Sequence, residues 1–144
     1  MSQMLPLDLP RLFTEEEVMF FDTDCGGVVH NLAYLRMIET CRTRLARLMG
    51  MDLPTMAETQ VYPVVVRTEV DYRRTAKLGD MLRIDGCLLS LSGARFQCGF
   101  RMVRSADEVE LVVAKQELAL VQMPAGKPQR LPAAWAQRWA NLLE

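Results

Sequence analysis

The chain has 144 residues, of which 50% are hydrophobic and 24% charged, and its formal net charge is −1. This composition is typical of one soluble globular domain that is large enough to build its own core. A net charge near zero argues against electrostatic binding to nucleic acid or to an anionic membrane surface. No apolar run approaches the roughly 18 residues of a membrane span, so we expect no membrane insertion.

The N-terminal segment, MSQMLPLDLPRLF, has no clean hydrophobic period, which predicts an extended arm or a loose terminus over residues 1–13. It also lacks the basic-then-apolar order of a signal peptide. The four cysteines have no C-x-x-C spacing and fit free thiols in a reducing compartment. We therefore expect a cytoplasmic protein. With one histidine and no cysteine cluster, the sequence predicts no metal site.

An acidic turn follows the first predicted strand, which covers residues 15–21. Asp22 and Asp24 are followed by Gly26 and Gly27, which allow positive φ angles and close backbone approach. This pattern predicts a loop that is held tightly against its surroundings. Asp22 is interpreted as structural, closing the loop through its own hydrogen bonds.

The only long helical pattern in the chain starts near Asn31, with His30 and Asn31 supplying the N-cap. Its apolar stripe covers roughly 180°, which is broad for a surface helix. The stripe therefore predicts a helix that is wrapped by a sheet. Arg42 falls inside this stripe, and an ion pair with Glu39 three residues earlier is the expected way to accommodate its charge.

The rest of the sequence reads as strands. Residues 51–60 are predicted as a linker and residues 61–73 as a half-buried strand. Turns near residues 77–80, 92–93 and 105–107 separate three more strands, the last with a bulge near Lys115, and Trp135 and Trp139 lie in a short terminal helix at about 132–143. This order predicts a single α+β domain, residues 1–144, with an antiparallel five-stranded sheet around one long central helix and a core at about 14–122.

The start of the predicted helix is also the candidate site for chemistry. Unpaired N–H groups and the positive end of the helix dipole would face the carbonyl oxygen of any acyl group bound there. Asp24 lies a few residues upstream on the same loop. A carboxylate beside an activating dipole is a workable arrangement for acyl transfer.

The sequence resembles the 4-hydroxybenzoyl-CoA thioesterase-like branch of the hotdog superfamily of acyl-CoA thioesterases in several motifs. They are Phe21-Asp22-Thr23-Asp24-Cys25-Gly26-Gly27-Val28-Val29, then Asn31, Tyr34 and Glu39-Thr40-Cys41-Arg42, then Asp71-Tyr72 and Leu78-Gly79-Asp80. The order of elements agrees over roughly residues 14–122. The resemblance implies a hotdog fold and a homodimer, often paired again into a homotetramer, with active sites at the subunit interface.

The resemblance places the catalytic carboxylate at Asp24, acting as nucleophile or general base, and the polarising backbone N–H at Asn31. Relatives often carry an aromatic residue and a histidine where this chain has His30 and Asn31, so His30 is an additional catalytic candidate or a cap. Glu39 is the reserve candidate for the carboxylate. The predicted substrate-binding residues are Gly26, Gly27, Val28, Tyr34, Arg73 and Arg95.

The first functional hypothesis is an acyl-CoA thioesterase that hydrolyses a thioester without a metal or redox cofactor. A second keeps the fold and takes the thioester from an acyl carrier protein of a fatty acid or polyketide pathway. A third is a non-catalytic dimeric protein that binds acyl-CoA. Release of free thiol separates the first two from the third.

Overall fold

The computed structural model describes residues 9–144. Its strands are β1 (Arg11–Glu17), β2 (Val61–Tyr72), β3 (Met81–Ser92), β4 (Arg95–Arg104), β5 (Val109–Gln122) and the two-residue β6 (Lys127–Pro128), and its helices are α1 (Asn31–Leu48), α2 (Leu53–Thr59) and α3 (Ala133–Arg138). All neighbouring strands are antiparallel, in the order β1-β3-β4-β5-β2, with β6 beside β5. The predicted α+β class and antiparallel sheet are therefore confirmed.

Helix α1 begins at the predicted residue and packs one face into the main core. Its buried residues are Ala33, Tyr34, Met37, Ile38, Cys41 and Leu45. Gly86 of β3 allows close contact, because a Cβ there would lie 2.7 Å from Cys41 Sγ. The predicted ion pair is present, with Arg42 Nη2 3.3 Å from Glu39 Oε1. Arg42 Nη1 also donates to Gln116 Oε1 at 2.8 Å, which ties the helix to β5.

Two boundaries differ from the sequence-based expectation. The first strand was predicted over residues 15–21, but β1 covers Arg11–Glu17 and a 3-10 turn covers Phe20–Asp22. The turn forms because the buried Asp22 carboxylate accepts the Met19 N–H at 2.9 Å. Residues 51–60, predicted as a linker, contain α2, whose N-cap Asp52 accepts from the Thr55 N–H. Residues 1–8 of the predicted arm lie outside the described residues.

The bulges lie elsewhere than predicted. Pairing of β4 with β5 shifts at Leu111 rather than near Lys115, and the partner strands also skip Leu89 in β3 and Val66 in β2. The prediction that residues 61–73 form a half-buried strand was correct for the strand but wrong for its burial. Strand β2 lies at the edge of the sheet, and its residues 64–69 are exposed.

The C-terminal segment folds back against the end of α1. The predicted terminal helix is present as α3, followed by a 3-10 turn at Ala140–Leu142, and both Trp135 and Trp139 are buried. Within residues 9–144, no helix has the length and apolar character required to cross a bilayer. The same residues contain no group of three or more His, Cys, Asp or Glu side chains arranged to hold a metal ion. The cytoplasmic location stays a prediction.

Candidate active site

The acidic turn forms a tight loop that leads into α1. The Asp24 N–H donates to the Val28 carbonyl at 3.0 Å, and Thr23 pairs with Val29 as an antiparallel bridge. Gly27, with φ of 78°, donates its N–H to the Asp24 carbonyl at 3.0 Å. The positive φ at Gly27 is accessible to glycine without strain, which explains the residue at this position.

Asp24 lies on the exposed side of this loop. Its Oδ1 accepts the Gly26 N–H at 2.8 Å, and a Cβ added at Gly26 would lie only 3.3 Å from that oxygen. Within residues 9–144, Oδ2 has no hydrogen-bond donor. One oxygen therefore fixes the carboxylate while the other remains available to a ligand or a water molecule.

The first turn of α1 has unpaired donors. His30 is the N-cap residue, and its Nδ1 accepts the Ala33 N–H at 3.3 Å. In the part of the chain that the structure describes, the N–H groups of Asn31 and Leu32 donate to no acceptor. The macrodipole of an 18-residue helix adds partial positive charge at the same place. This helix end is suited to stabilise a developing negative charge.

Two buried residues, Asp22 and Tyr34, hold the loop in place from the core side. The Asp22 carbonyl accepts the His30 N–H at 3.0 Å, while its carboxylate closes the preceding turn. The Tyr34 hydroxyl accepts the Ala76 N–H at 2.9 Å, and the Ala76 carbonyl in turn accepts the Val29 N–H at 2.9 Å. Burial raises the pKa of Tyr34, so its hydroxyl stays protonated. Tyr34 thus supports the loop from the interior.

Tyr72 is a neighbour of the site for which sequence reasoning proposed no role. Its hydroxyl donates to the Asn31 carbonyl at 3.5 Å, and its ring centroid lies 5.9 Å from that of Tyr34. The Asp71-Tyr72 pair belonged to the motif that carried the family resemblance, which was the only available signal. Val28, a predicted substrate contact, is half-buried and pairs with Lys77.

The remaining predicted residues are dispersed. Glu39 lies two turns into α1 and is mostly exposed. Arg73 follows β2 at the end nearest the loop, and its guanidinium pairs with Glu110 at 2.7 Å. Arg95 pairs with Glu117 at 2.9 Å and starts β4 at the opposite end of the sheet. Arg104, at the other end of β4, contacts Asp80. Nine residues separate Arg95 from Arg104, which corresponds to roughly 30 Å along the strand. Within one chain, Arg95 is therefore remote from Asp24.

The loop is surrounded by exposed apolar side chains instead of an enclosing pocket. The exposed fractions of Phe20, Phe21 and Leu32 are 80%, 75% and 64%. An apolar cavity of about 180 Å³ lies beside the other half of α1. It is lined by Arg42, Thr43, Leu45, Ala46, Met49, Met51, Leu53, Met56, Tyr62, Pro63, Phe96, Cys98 and Leu118. The acidic loop and this cavity do not meet within a single chain.

Residues 18–139 match the model of the thioesterase-like superfamily. The acyl-CoA thioesterase YbgC of Haemophilus influenzae is 33% identical over 80% of this chain and 84% of its own. The crystal structure of a probable thioesterase from Bartonella henselae is 32% identical, with a TM-score of 0.77 over 85% of this chain and 99% of that one. A 1,4-dihydroxy-2-naphthoyl-CoA thioesterase from Synechocystis, 22% identical, shares the fold with a TM-score of 0.79 over 92% of this chain and 97% of that one.

These relatives do not single out the 4-hydroxybenzoyl-CoA branch, which stays a prediction. They confirm that the chain is an enzyme of the thioester hydrolase class. The match over residues 18–139 covers both the Asp24 loop and α1. The chain therefore belongs to the thioesterase-like superfamily of hotdog-fold proteins.

Proposed function

We propose that the protein hydrolyses acyl-CoA thioesters, with Asp24 as nucleophile or general base and the Asn31 N–H as the oxyanion donor. The observation that carries this proposal concerns the described residues 9–144: Oδ2 of Asp24 has no donor among them, and its loop ends at the α1 amides, which have no acceptor among them. A relative that is an acyl-CoA thioesterase supports coenzyme A as the carrier. Membership of the 4-hydroxybenzoyl-CoA branch is part of the same proposal.

The chemistry follows from the two groups. If Asp24 is the general base, it takes a proton from water, and the resulting hydroxide attacks the thioester carbonyl carbon. If Asp24 is the nucleophile, its oxygen forms an anhydride with the acyl group, which water then hydrolyses. In both cases the C–S bond breaks and the thiolate of coenzyme A leaves and takes up a proton. Neither course needs a metal or redox cofactor.

The helix amides stabilise the oxyanion that forms when the carbonyl carbon becomes tetrahedral. A preorganised donor of this kind typically contributes about 10² to 10³ in rate. Asn31 and Leu32 both present such donors at the start of α1. The Asn31 side chain has no role in this step, so its backbone position is what counts.

The proposal includes a homodimer that joins β2 of one subunit to β2 of the other. Strand β2 is an open edge, and Val64, Val65 and Val66 on it are exposed. Pairing with a second copy would remove this unpaired edge. In an antiparallel two-fold pair, the Tyr72 end of one strand lies beside the Val61 end of the other. The Asp24 loop would then face the partner subunit, and a further pairing into a tetramer stays a prediction.

The test of the chemistry is thiol release from a panel of acyl-CoA substrates. Asp24→Asn is expected to lower kcat by about 10² to 10⁴ while the fold is kept, because the general base or nucleophile is lost. Asp107→Asn is the matched control, since Asp107 Oδ1 also accepts a backbone N–H two residues on, from Val109 at 3.3 Å. Asp107 pairs with Arg104 at the same end of the sheet but is not one of the proposed reacting groups, so its variant should retain most of the activity.

Other outcomes would redirect the proposal. Full turnover in Asp24→Asn would exclude Asp24 and turn attention to Glu39 or His30. Thiol release from acyl carrier protein but not from coenzyme A would change the carrier. Binding of acyl-CoA without any thiol release would contradict the hydrolase mechanism.

The test of the dimer uses Val65→Lys, which places a charge on the exposed edge of β2. We expect a monomer in sedimentation velocity and a loss of hydrolysis, since the site is proposed to need the partner subunit. Leu143→Lys changes an exposed leucine far from that edge and should leave the dimer intact. An active Val65→Lys monomer would contradict the shared site.

A further inference from the structure

The apolar cavity beside α1 has an inner wall and a mouth. Leu45, Met49, Phe96, Cys98 and Leu118 are buried and form the wall. Tyr62 and Pro63, at the start of β2, are half-buried and lie nearer the surface. The cavity is therefore closed toward the core and accessible from the β2 edge. A volume of about 180 Å³ slightly exceeds the 150 Å³ or so of an engineered cavity that holds benzene.

An acyl group whose carbonyl oxygen is bound by the Asn31 N–H cannot reach this cavity in its own chain. Arg42, the first lining residue of α1, lies eleven residues along the helix from Asn31, or about 16 Å. Tyr62 and Tyr72 lie ten residues apart on β2, roughly 30 Å. The proposed two-fold pairing of β2 changes this, because it brings the Tyr72 end of one subunit beside Tyr62 and Pro63 of the other.

The inner wall is backed by the C-terminal segment. The Trp135 ring packs edge-on against Phe96, with centroids 5.4 Å apart and an interplanar angle of 86°. Its Nε1 donates to the Met49 carbonyl at 3.1 Å. Phe96 and Met49 both line the cavity, while Trp135 lies behind them. Because the buried Trp135 ring occupies the space behind them, Phe96 and Met49 cannot move away from the cavity.

The segment that carries Trp135 is itself fixed to the sheet. The Gln129 N–H donates to the Leu120 carbonyl at 2.9 Å, and the Leu131 N–H donates to the Gly93 carbonyl at 3.2 Å. The Glu144 N–H donates to the Leu91 carbonyl at 2.9 Å. Backbone hydrogen bonds on both sides of α3 thus hold the Trp135 ring in place.

We propose that this cavity receives the acyl group of a substrate bound at the Asp24 loop of the partner subunit, and that Trp135 sets its depth. The cavity volume limits the acyl group to about six carbon atoms, either a short chain or one aromatic ring. The inference rests on the proposed thioesterase function and on the two-fold pairing of β2. It assigns Trp135, which does not touch the substrate, as a positioning residue for chain-length specificity.

The experiment compares kcat/KM for four-, six- and eight-carbon acyl-CoA in two opposed variants. Trp135→Leu opens space behind Phe96 and Met49, and should raise the eight-carbon to four-carbon ratio about tenfold. Ala46→Leu fills the cavity from the helix side, and should lower the six-carbon to four-carbon ratio about tenfold. Gln137→Ala and Arg44→Leu are the controls, because they change α3 and α1 at exposed positions outside the lining.

Each outcome decides the point. Opposite shifts in the two folded variants, with unchanged profiles in both controls, support the proposal. If Trp135→Leu does not fold, the Ala46→Leu profile decides alone. Unchanged chain-length profiles with active enzyme would overturn the cavity assignment while leaving the thioesterase proposal intact. A wild-type protein that releases no thiol from any acyl-CoA would overturn the thioesterase proposal itself.

Discussion

The two ends of α1 are treated in opposite ways. At the N-terminal end, the amides of Asn31 and Leu32 have no acceptor among the described residues. At the C-terminal end, backbone N–H groups of residues 49–51 donate to the carbonyls of Leu45, Ala46 and Arg47, and Trp135 donates to the Met49 carbonyl. Among the residues that the structure describes, the chain caps the C-terminal end of α1 with its own groups and leaves donors unpaired at the N-terminal end.

The two ends of α1 therefore have different roles: the capped end contributes to stability, and the uncapped end is available for chemistry. A helix end that is closed by its own chain adds hydrogen bonds and packing to the folded state. An exposed end with free donors can exchange water for a ligand at little structural cost. The N-terminal end therefore suits oxyanion binding, and the buried C-terminal half suits a fixed wall.

The largest stability effect is expected in the buried half of the helix. Leu45→Ala should lower the free energy of unfolding by about 2 to 5 kcal/mol, because Leu45 is fully buried and its removal leaves a cavity. Leu48→Ala, one turn away on the exposed side, should change it by less than about 0.5 kcal/mol. Urea unfolding followed by circular dichroism measures both. Equal costs would contradict the burial of this face.

An intermediate effect is expected behind the open end. Tyr34→Phe should lower the free energy of unfolding by about 1 to 3 kcal/mol, because the buried Ala76 N–H loses its acceptor. Tyr72→Phe removes a hydroxyl from a partly exposed ring and should cost much less. If the two variants were equally stable, the Ala76 contact would not support the loop.

A smaller effect is expected at the cap itself. His30→Ala should lower the free energy of unfolding by about 0.5 to 2 kcal/mol through loss of the N-cap acceptor. His30→Asn should restore most of it, since asparagine is a good N-cap residue. Hydrolysis by His30→Asn should stay near the wild-type rate. A stable His30→Asn variant that is inactive would give the imidazole a chemical role.

The smallest expected effect is a difference in reactivity among the four cysteine thiols, which have different surroundings. Burial raises the pKa of Cys41 to about 11 and of Cys98 to about 12, and it also raises the pKa of the half-buried Cys87. At pH 8 these thiols stay protonated and slow to react. Cys25 is exposed beside Asp24, so a thiol reagent should modify one cysteine per chain rapidly. Cys25→Ser should remove that phase, and a second rapid phase in this variant would contradict the burial of the other three.

Local patterns predicted much of the fold. The cap residues and the apolar stripe located the start of α1 at Asn31, and the tryptophan spacing predicted α3. The start of β1 was wrong because its register is set by pairing with β3, where Arg11 lies opposite Cys87. The bulge was also misplaced, since a shift in alternation does not tell which residue the partner strand skips.

The site was predicted in its parts but not in its arrangement. Asp24 and Gly26 were predicted on the loop before α1 and Asn31 at the start of α1, and the structure has them in those places, while their functional roles stay predictions. The distance between Arg95 and this loop could not be predicted from the sequence, because it depends on the order and direction of the strands in the sheet. The docking of Trp135 on Met49 joins residues 86 positions apart, and no local pattern predicts such a contact.

The bulge at Val66 has a consequence for how the protein avoids aggregation. A regular foreign strand that tried to extend the sheet along β2 would lose its hydrogen-bonding register at that residue. In the proposed two-fold pair, the second copy of β2 would carry the same irregularity at the symmetric position and could match it. In the proposed dimer, the bulge would therefore disfavour open-ended addition of regular strands to this edge while permitting one closed pair.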